Sequence, residues 1–191
     1  MKGRVEVRLA GEGGQGLILA GVILAEAAAV YDGLNATQTQ SYGPEARGGA
    51  SKSEVVISDE EIDYPKVIEA DYLLAMSQEG CDRYVGNLKR EGLLIVDSVH
   101  VTRLPLERSA VQAPITQLAE EATGRRITAN VVALGVLVGL SQVVSRAAVE
   151  AAVRARAPKG TEEANMKALA AGLDWAEKHA DAPAAASGLS R

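Results

Sequence analysis

An apolar alternation, Val5, Val7 and Leu9, runs into Gly11-Glu12-Gly13-Gly14-Gln15-Gly16 and then into an alanine- and leucine-rich stretch. That order predicts a strand, a tight turn and a helix. Gly11, Gly13 and Gly16 fit the G-x-G-x-x-G spacing, in which glycines allow the turn, close backbone approach to an anion, and tight helix–strand packing. The N–H groups at the helix start and the positive end of its dipole favour a phosphate there. A second glycine-rich segment follows at Tyr42-Gly43-Pro44-Glu45-Ala46-Arg47-Gly48-Gly49. It sets a proline, a carboxylate, a guanidinium and several glycines on one loop.

The first motif alone does not make a dinucleotide site. A nicotinamide site needs an acidic residue about twenty positions on, to hold the ribose hydroxyls. Counting on from Gly16 reaches Ala36, within Asn35-Ala36-Thr37-Gln38-Thr39-Gln40, which has no carboxylate. Asp32 comes too early, in the turn before the second strand. Three readings stay open: glycines that only let a helix pack on a strand, a site for another anionic group, or a seat for a partner's loop.

Composition narrows the chemistry. The 191 residues fit one domain with a real core. A balance of 20 basic against 25 acidic residues gives a net charge of −5, which argues against nucleic acid as a partner. With five Tyr, one Trp and no Phe, the core must be built from Ala, Val, Leu and Ile. Lys2, Arg4, Glu6 and Arg8 break up the N-terminus, so no signal peptide is expected. The longest apolar run, Val131 to Leu140, is half the ~20 residues that a membrane span needs. A cytoplasmic protein is expected.

A single cysteine, Cys81, cannot form an internal disulfide or hold an iron–sulfur cluster, which takes about four thiolates. His100 and His179 lie far apart, and no cluster has metal-ligand spacing, so no metal site is expected. Ser98, Asp97 and His100 make a triad only on paper, because no G-x-S-x-G elbow exposes a nucleophile. No catalytic residue is assigned to this chain. Cys81 follows Glu79-Gly80 at a helix start and reads as a packed small hydrophobe rather than an activated thiol.

Along the chain, strands are predicted over Val5–Ala10, Asn35–Gln40, Ser51–Ser58, Tyr72–Met76 and Leu93–Asp97, with helices over Gly14–Tyr31 and Gln78–Arg90. In Ser51–Ser58, Ser53, Val55 and Ile57 share one face while Lys52, Glu54 and Val56 share the other, so one face is expected to be solvated or an interface. Entered without a helix, this strand is the expected antiparallel member of the sheet. Tyr64-Pro65 blocks a helix. Beyond Pro105 the pattern is helical: Ile115–Thr123, Asn130–Ser141, Ser145–Ala157 behind a serine cap and Thr161–His179 behind a threonine cap. The fold class is α/β: a single three-layer α/β/α domain over residues 1–180, with a mostly parallel, mixed sheet and a Rossmann-like N-terminal βα unit. Asp181–Arg191, rich in Ala, Ser and Gly, is expected to be a disordered tail.

Four stretches carry a resemblance: Gly11–Gly16, Gln38–Gly49, Ile62-Asp63-Tyr64-Pro65 and Leu94-Ile95-Val96-Asp97-Ser98. With these, the chain resembles the gamma subunit of 2-oxoacid:ferredoxin oxidoreductases over residues 3–180, and within them the 2-oxoglutarate branch. Related pyruvate, ketoisovalerate and indolepyruvate enzymes use similar gamma chains. The resemblance implies a complex that decarboxylates a 2-oxoacid, passes electrons to ferredoxin and transfers the acyl group to coenzyme A. Thiamine diphosphate, magnesium and iron–sulfur clusters would sit in other subunits, and none of them in this chain. The implied partners are alpha and beta subunits, with delta as a further candidate, and ferredoxin. This chain would support assembly and shape the coenzyme A side of the site. The residues implied there are Gly11, Gly13, Gly14, Gln15, Gly16, Tyr42, Gly43, Pro44, Glu45, Arg47 and Gly48. Backbone N–H groups of Gly13–Gly16 and the planar fork of Arg47 suit anionic contacts. Arg47 paired internally with Glu45 is the other reading. Two rivals of other classes are a stand-alone nicotinamide-dependent dehydrogenase and a nucleotide- or coenzyme A-binding regulator acting alone.

Overall fold

The structure is a computed structural model and describes residues 3–41, 50–106 and 108–180. Strand β1 (Val5–Glu12) leads into helix α1 (Leu17–Glu26), whose last turn widens to a π-helix over Ala27–Tyr31. Then come β2 (Asn35–Ser41), β3 (Ala50–Ser58), β4 (Ala70–Ala75), α2 (Gln78–Tyr84), β5 (Leu88–Asp97) and β6 (Ala110–Ala113). Helices α3 (Ile115–Thr123), α4 (Ala129–Ser141), α5 (Arg146–Arg156) and α6 (Glu162–Lys178) complete it. The sheet order is β2-β3-β1-β4-β5-β6. Strands β1, β4, β5 and β6 run parallel, and β3 is antiparallel to both β1 and β2. The mixed sheet and its antiparallel member thus match the sequence reading.

The layers are unequal. Helices α1, α3, α4, α5 and α6 cover one face of the sheet through Leu9, Val55, Leu74 and Ile95. The other face carries α2 and the loops holding Val67 and Val101, over Leu73, Leu94 and Val96. Helix α4 is the hub of the first layer. It is apolar all round because every residue from Ala129 to Val138 is buried. Burying side chains such as Leu134 and Leu137 stabilises by about 1.5–3 kcal/mol each. The α4 and α6 backbones touch: a Cβ on Gly172 would sit on the Val132 carbonyl oxygen, and one on Gly135 on that of Leu169. Residues Val131–Val138 of the apolar run are therefore core.

Several boundaries differ from the sequence reading. The first helix starts at Leu17 rather than Gly14, because Gly14 (φ 96°) and Gly16 (φ 75°) take left-handed conformations that a helix cannot contain. The helix predicted over Gln78–Arg90 ends at Tyr84, and Leu88–Arg90 is strand. Tertiary contacts decide this: Leu88 pairs with Ala70, and the Arg108 guanidinium donates to the carbonyls of Leu88 and Lys89. Strand β6 was not anticipated; at four residues it has too little periodicity and exists by pairing with Leu94–Asp97. Both faces of β3 are covered, Glu54 and Val56 included, so the expected solvated face is absent. Ser145 caps α5 by accepting from Ala148 N–H (3.1 Å), whereas the Thr161 hydroxyl binds the Pro158 carbonyl (2.8 Å) and does not cap α6. The tail Asp181–Arg191 lies outside the described residues.

Candidate functional site

The carboxyl ends of β1, β4 and β5 share one edge of the sheet, where α/β proteins of this kind receive ligands. At the end of β1 the chain turns through Gly13–Gly16 into α1. The Gln15 amide clasps this turn: its oxygen accepts from Glu12 N–H (2.8 Å) and its NH2 donates to the Met76 carbonyl (3.1 Å). The end of β1 is thereby tied to the residue after β4. Gly16, in its left-handed conformation, lies against the Asn130 side chain, whose NH2 donates to the Gly16 carbonyl (3.2 Å). No side chain caps α1 among the described residues, and its first turn holds no acidic residue. The N–H groups of Leu17, Ile18 and Leu19 therefore lack intrahelical acceptors at the positive end of the dipole. Glu12, Gly13 and Gly14 are exposed beside them. These N–H groups are placed so that an anion could meet them, on a turn held by Gln15 and Asn130.

Strand pairing sets Ala50 and Ser51, which follow the second glycine-rich segment, at the same place. In the β1–β3 ladder Glu12 stands opposite Ala50 and Gly11 opposite Ser51, whose hydroxyl donates to the Gly11 carbonyl (3.3 Å). Ser41, the last residue of β2, stands opposite Lys52. Ala50 thus stands directly beside the first turn, and Ser41 stands one strand further out. Tyr42, Gly43, Pro44, Glu45, Arg47 and Gly48 themselves lie outside the described residues.

Other candidates resolve into structural roles. Asp97, at the end of β5, is fully buried; it accepts from the Thr116 hydroxyl, from Val99 N–H (3.2 Å) and from Thr116 N–H (3.4 Å), with His100 Nε2 3.9 Å away. Its carboxylate is filled by α3, and Ser98 donates its N–H to Ala113, so these residues knit β5 to β6 and α3. Cys81 is buried, and burial, aided by Asp82, pushes its thiol up to about 11, which fits the packed hydrophobe. Among the described residues no group of three or more His, Cys, Asp and Glu is placed to hold a metal ion.

The sequence reading missed a charged cluster on the thinly covered sheet face. Arg8 on β1 donates through Nε and Nη2 to Glu54 Oε1 on β3 (2.8 Å each), and Lys52 reaches the same oxygen at 2.9 Å. Arg8, Lys52 and Arg83 all lie over the Tyr84 ring, 5.4–5.7 Å from its centroid. Near the other end of the strand, buried Glu6 pairs with Arg4 and accepts from the N–H groups of Ile68 and Glu69. The signal was the alternation Arg4-Val5-Glu6-Val7-Arg8, but only the β1–β3 register says that Arg8 meets Glu54.

Comparison with known proteins identifies this architecture. Residues 6–175 match the model of the pyruvate ferredoxin/flavodoxin oxidoreductase family. The 2-oxoglutarate synthase subunit KorC of Methanocaldococcus jannaschii is 50% identical, with 93% of this chain and 97% of that protein aligned. KorC of Methanothermobacter thermautotrophicus is 52% identical over 90% of this chain and 94% of that protein. Among solved structures, the gamma subunit of a keto/oxoacid ferredoxin oxidoreductase from Geobacter sulfurreducens superposes with a TM-score of 0.84 at 52% identity, covering 91% of this chain and 97% of that one. The 2-oxoglutarate:ferredoxin oxidoreductase of Magnetococcus marinus, solved with 2-oxoglutarate, coenzyme A and succinyl-CoA, matches at a TM-score of 0.81 and 26% identity; 98% of this chain falls on 33% of that one. The chain belongs to the pyruvate ferredoxin/flavodoxin oxidoreductase family, as a gamma-type subunit of a 2-oxoacid oxidoreductase.

Proposed function

We propose that this chain, with residues 1–180 as its folded unit, is the gamma subunit of a cytoplasmic 2-oxoglutarate:ferredoxin oxidoreductase. The complex would decarboxylate 2-oxoglutarate, pass the released electrons to ferredoxin and join the remaining acyl group to coenzyme A. The carrying observation is the ranking of relatives: KorC subunits are 38–52% identical, against 32–35% for ketoisovalerate subunits and 29% for a pyruvate subunit. Alpha and beta subunits would carry thiamine diphosphate, magnesium and the clusters, which supply the decarboxylation and electron-transfer chemistry.

In this reading the chain contributes an anion seat for coenzyme A. The α1 N–H groups and the Gly11, Gly13, Gly14 and Gly16 backbone meet a phosphate, with Gln15 holding the turn. Tyr42, Gly43, Pro44, Glu45, Arg47 and Gly48, between Ser41 and Ala50 in the chain, would supply the other contacts to coenzyme A. The absence of any carboxylate in β2 counts against a nicotinamide in that seat.

The test is the chain co-expressed with its partner subunits and assayed for viologen reduction. 2-Oxoglutarate should be preferred over pyruvate and 2-oxoisovalerate, and the isolated chain should be inactive. Arg47→Ala should raise the apparent coenzyme A constant on the order of tenfold or more, the loss of one charge-assisted contact worth about 1.5–3 kcal/mol. Preference for pyruvate would refute the substrate. Loss of assembly with an unchanged coenzyme A constant would instead make Arg47 a brace.

A further inference from the structure

The charged cluster between β1, β3 and α2 holds more positive than negative charge. Glu54 Oε1 alone receives Arg8 Nε, Arg8 Nη2 and Lys52 Nζ, at 2.8–2.9 Å. A carboxylate oxygen has about two lone pairs, so three donors oversubscribe it. Arg83 brings a third cation over the same Tyr84 ring that Arg8 and Lys52 approach. The neighbouring carboxylates are engaged elsewhere. Asp82 accepts from Gln78 and Arg103, Asp71 from Lys89 and Glu6 N–H, and Glu6 pairs with Arg4. Thr39, opposite Glu54 on β2, is neutral, and Glu12, at the end of β1, is exposed.

One donor of the cluster has no acceptor. Arg8 Nη1 is buried without a hydrogen-bond partner among the described residues, in a side chain that is 5% exposed. A buried donor left unpaired is costly, and proteins that keep one ordinarily hold an ion or a water against it. Glu54 grips the guanidinium through Nε and Nη2, which fixes its plane and leaves Nη1 as the free corner of the fork. Lys52 is partly exposed and Arg83 lies at the surface, so the cluster meets solvent through these two side chains.

We propose that Arg8 Nη1, Lys52 and Arg83 form a seat for a phosphate-class oxyanion, either free phosphate or the phosphate group of a larger ligand. Two features favour phosphate over a carboxylate. Its charge of up to −2 matches the excess of three cations over the single Glu54 carboxylate. Its oxygens also point in several directions, whereas the donors come from two strands and a helix rather than from one plane. The seat faces α2, across the sheet from α1, and does not rest on the coenzyme A reading.

Titration of the full chain with inorganic phosphate tests this, followed in proton–nitrogen spectra with ionic strength held constant by chloride. Saturable shifts are expected at Arg8 Nε–H and at the Lys52 and Tyr84 amides, with a dissociation constant of about 1–10 mM. Lys52→Met should raise that constant about tenfold or more, through the loss of one charge-assisted contact. Glu54 keeps its Arg8 partner in this variant, so the fold should persist. Arg83→Ala should weaken binding by a smaller factor, and Arg8→Lys, which lacks the fork, should abolish saturation. Arg154→Ala, at the surface between α5 and α6, should change nothing. No saturable shift up to about 50 mM overturns the proposal, as does a constant indifferent to Lys52→Met. Shifts confined to Gly13–Leu19 overturn it by giving the anion to the α1 turn. Acetate binding as tightly as phosphate overturns the phosphate assignment.

Discussion

On one face of the sheet α4 and α6 approach until glycines meet carbonyls, and buried Val, Leu and Ala side chains fill the space. On the other face α2 and the loops holding Val67 and Val101 shelter Arg8, Glu54 and Glu6, each at most 6% exposed. The first face is held by shape, where every contact is small and the sum is large. The second is held by pairing, where each charge depends on its neighbour to offset desolvation. Damage should therefore spread differently: a volume error on the helical face can be relaxed locally, while a lost ion on the charged face strands a buried partner.

The sharpest way to break this contrast is Glu54→Leu. It leaves the Arg8 guanidinium buried beside Lys52 with no counter-charge, and should lower stability by about 3–5 kcal/mol in denaturant unfolding. The double variant Arg8→Met/Glu54→Leu should recover most of that loss, because the buried Arg8–Glu54 pair is then removed whole. A single variant costing under about 1 kcal/mol would mean that this face is effectively solvated. Next is Gly172→Ala, whose methyl must displace the Val132 carbonyl and so part α4 from α6. Overpacking of this kind costs about 1–3 kcal/mol, and Gly135→Ala should behave alike while the pair together is less than additive.

The smallest effect concerns Cys81, on the buried side of α2. Its thiol is raised to about 11 in the fold, so the neutral form is favoured there. The resulting stabilisation is present below the ordinary thiol value and is lost as pH climbs toward about 11. The stability gap between wild type and Cys81→Ala should therefore narrow between about pH 8 and about pH 10.5. A gap constant over that range would remove the thiol from the charged face's ledger of titrating groups.

The helical face was legible in the sequence and the charged face was not, for one physical reason. Periodicity reports burial of apolar residues, so Val131–Leu140 and the β1–turn–α1 opening could be read directly. Lys52 and Glu54 looked like a solvated row because their partner, Arg8, is 46 residues from Glu54, on another strand. Strand β6 and the Leu88–Arg90 part of β5 depend on pairing across the sheet and on Arg108, which no local pattern announces. At the site, the glycine spacing gave the turn, but the clasp by Gln15 and the support from Asn130 needed coordinates. A glutamine and an asparagine carry no pattern that separates a brace from a surface residue.

Asn130 lies 114 residues from the Gly16 carbonyl that it holds, and Met76 is 61 from Gln15. The strand–turn–helix opening, though contiguous in sequence, is thus not a module. Grafted onto another scaffold, or expressed as an N-terminal fragment ending before α4, it would keep its glycines and lose the two clamps that give them one shape. Circular permutation, which preserves both clamps while cutting the chain at an exposed turn such as Lys159-Gly160, is the rearrangement that this seat should survive.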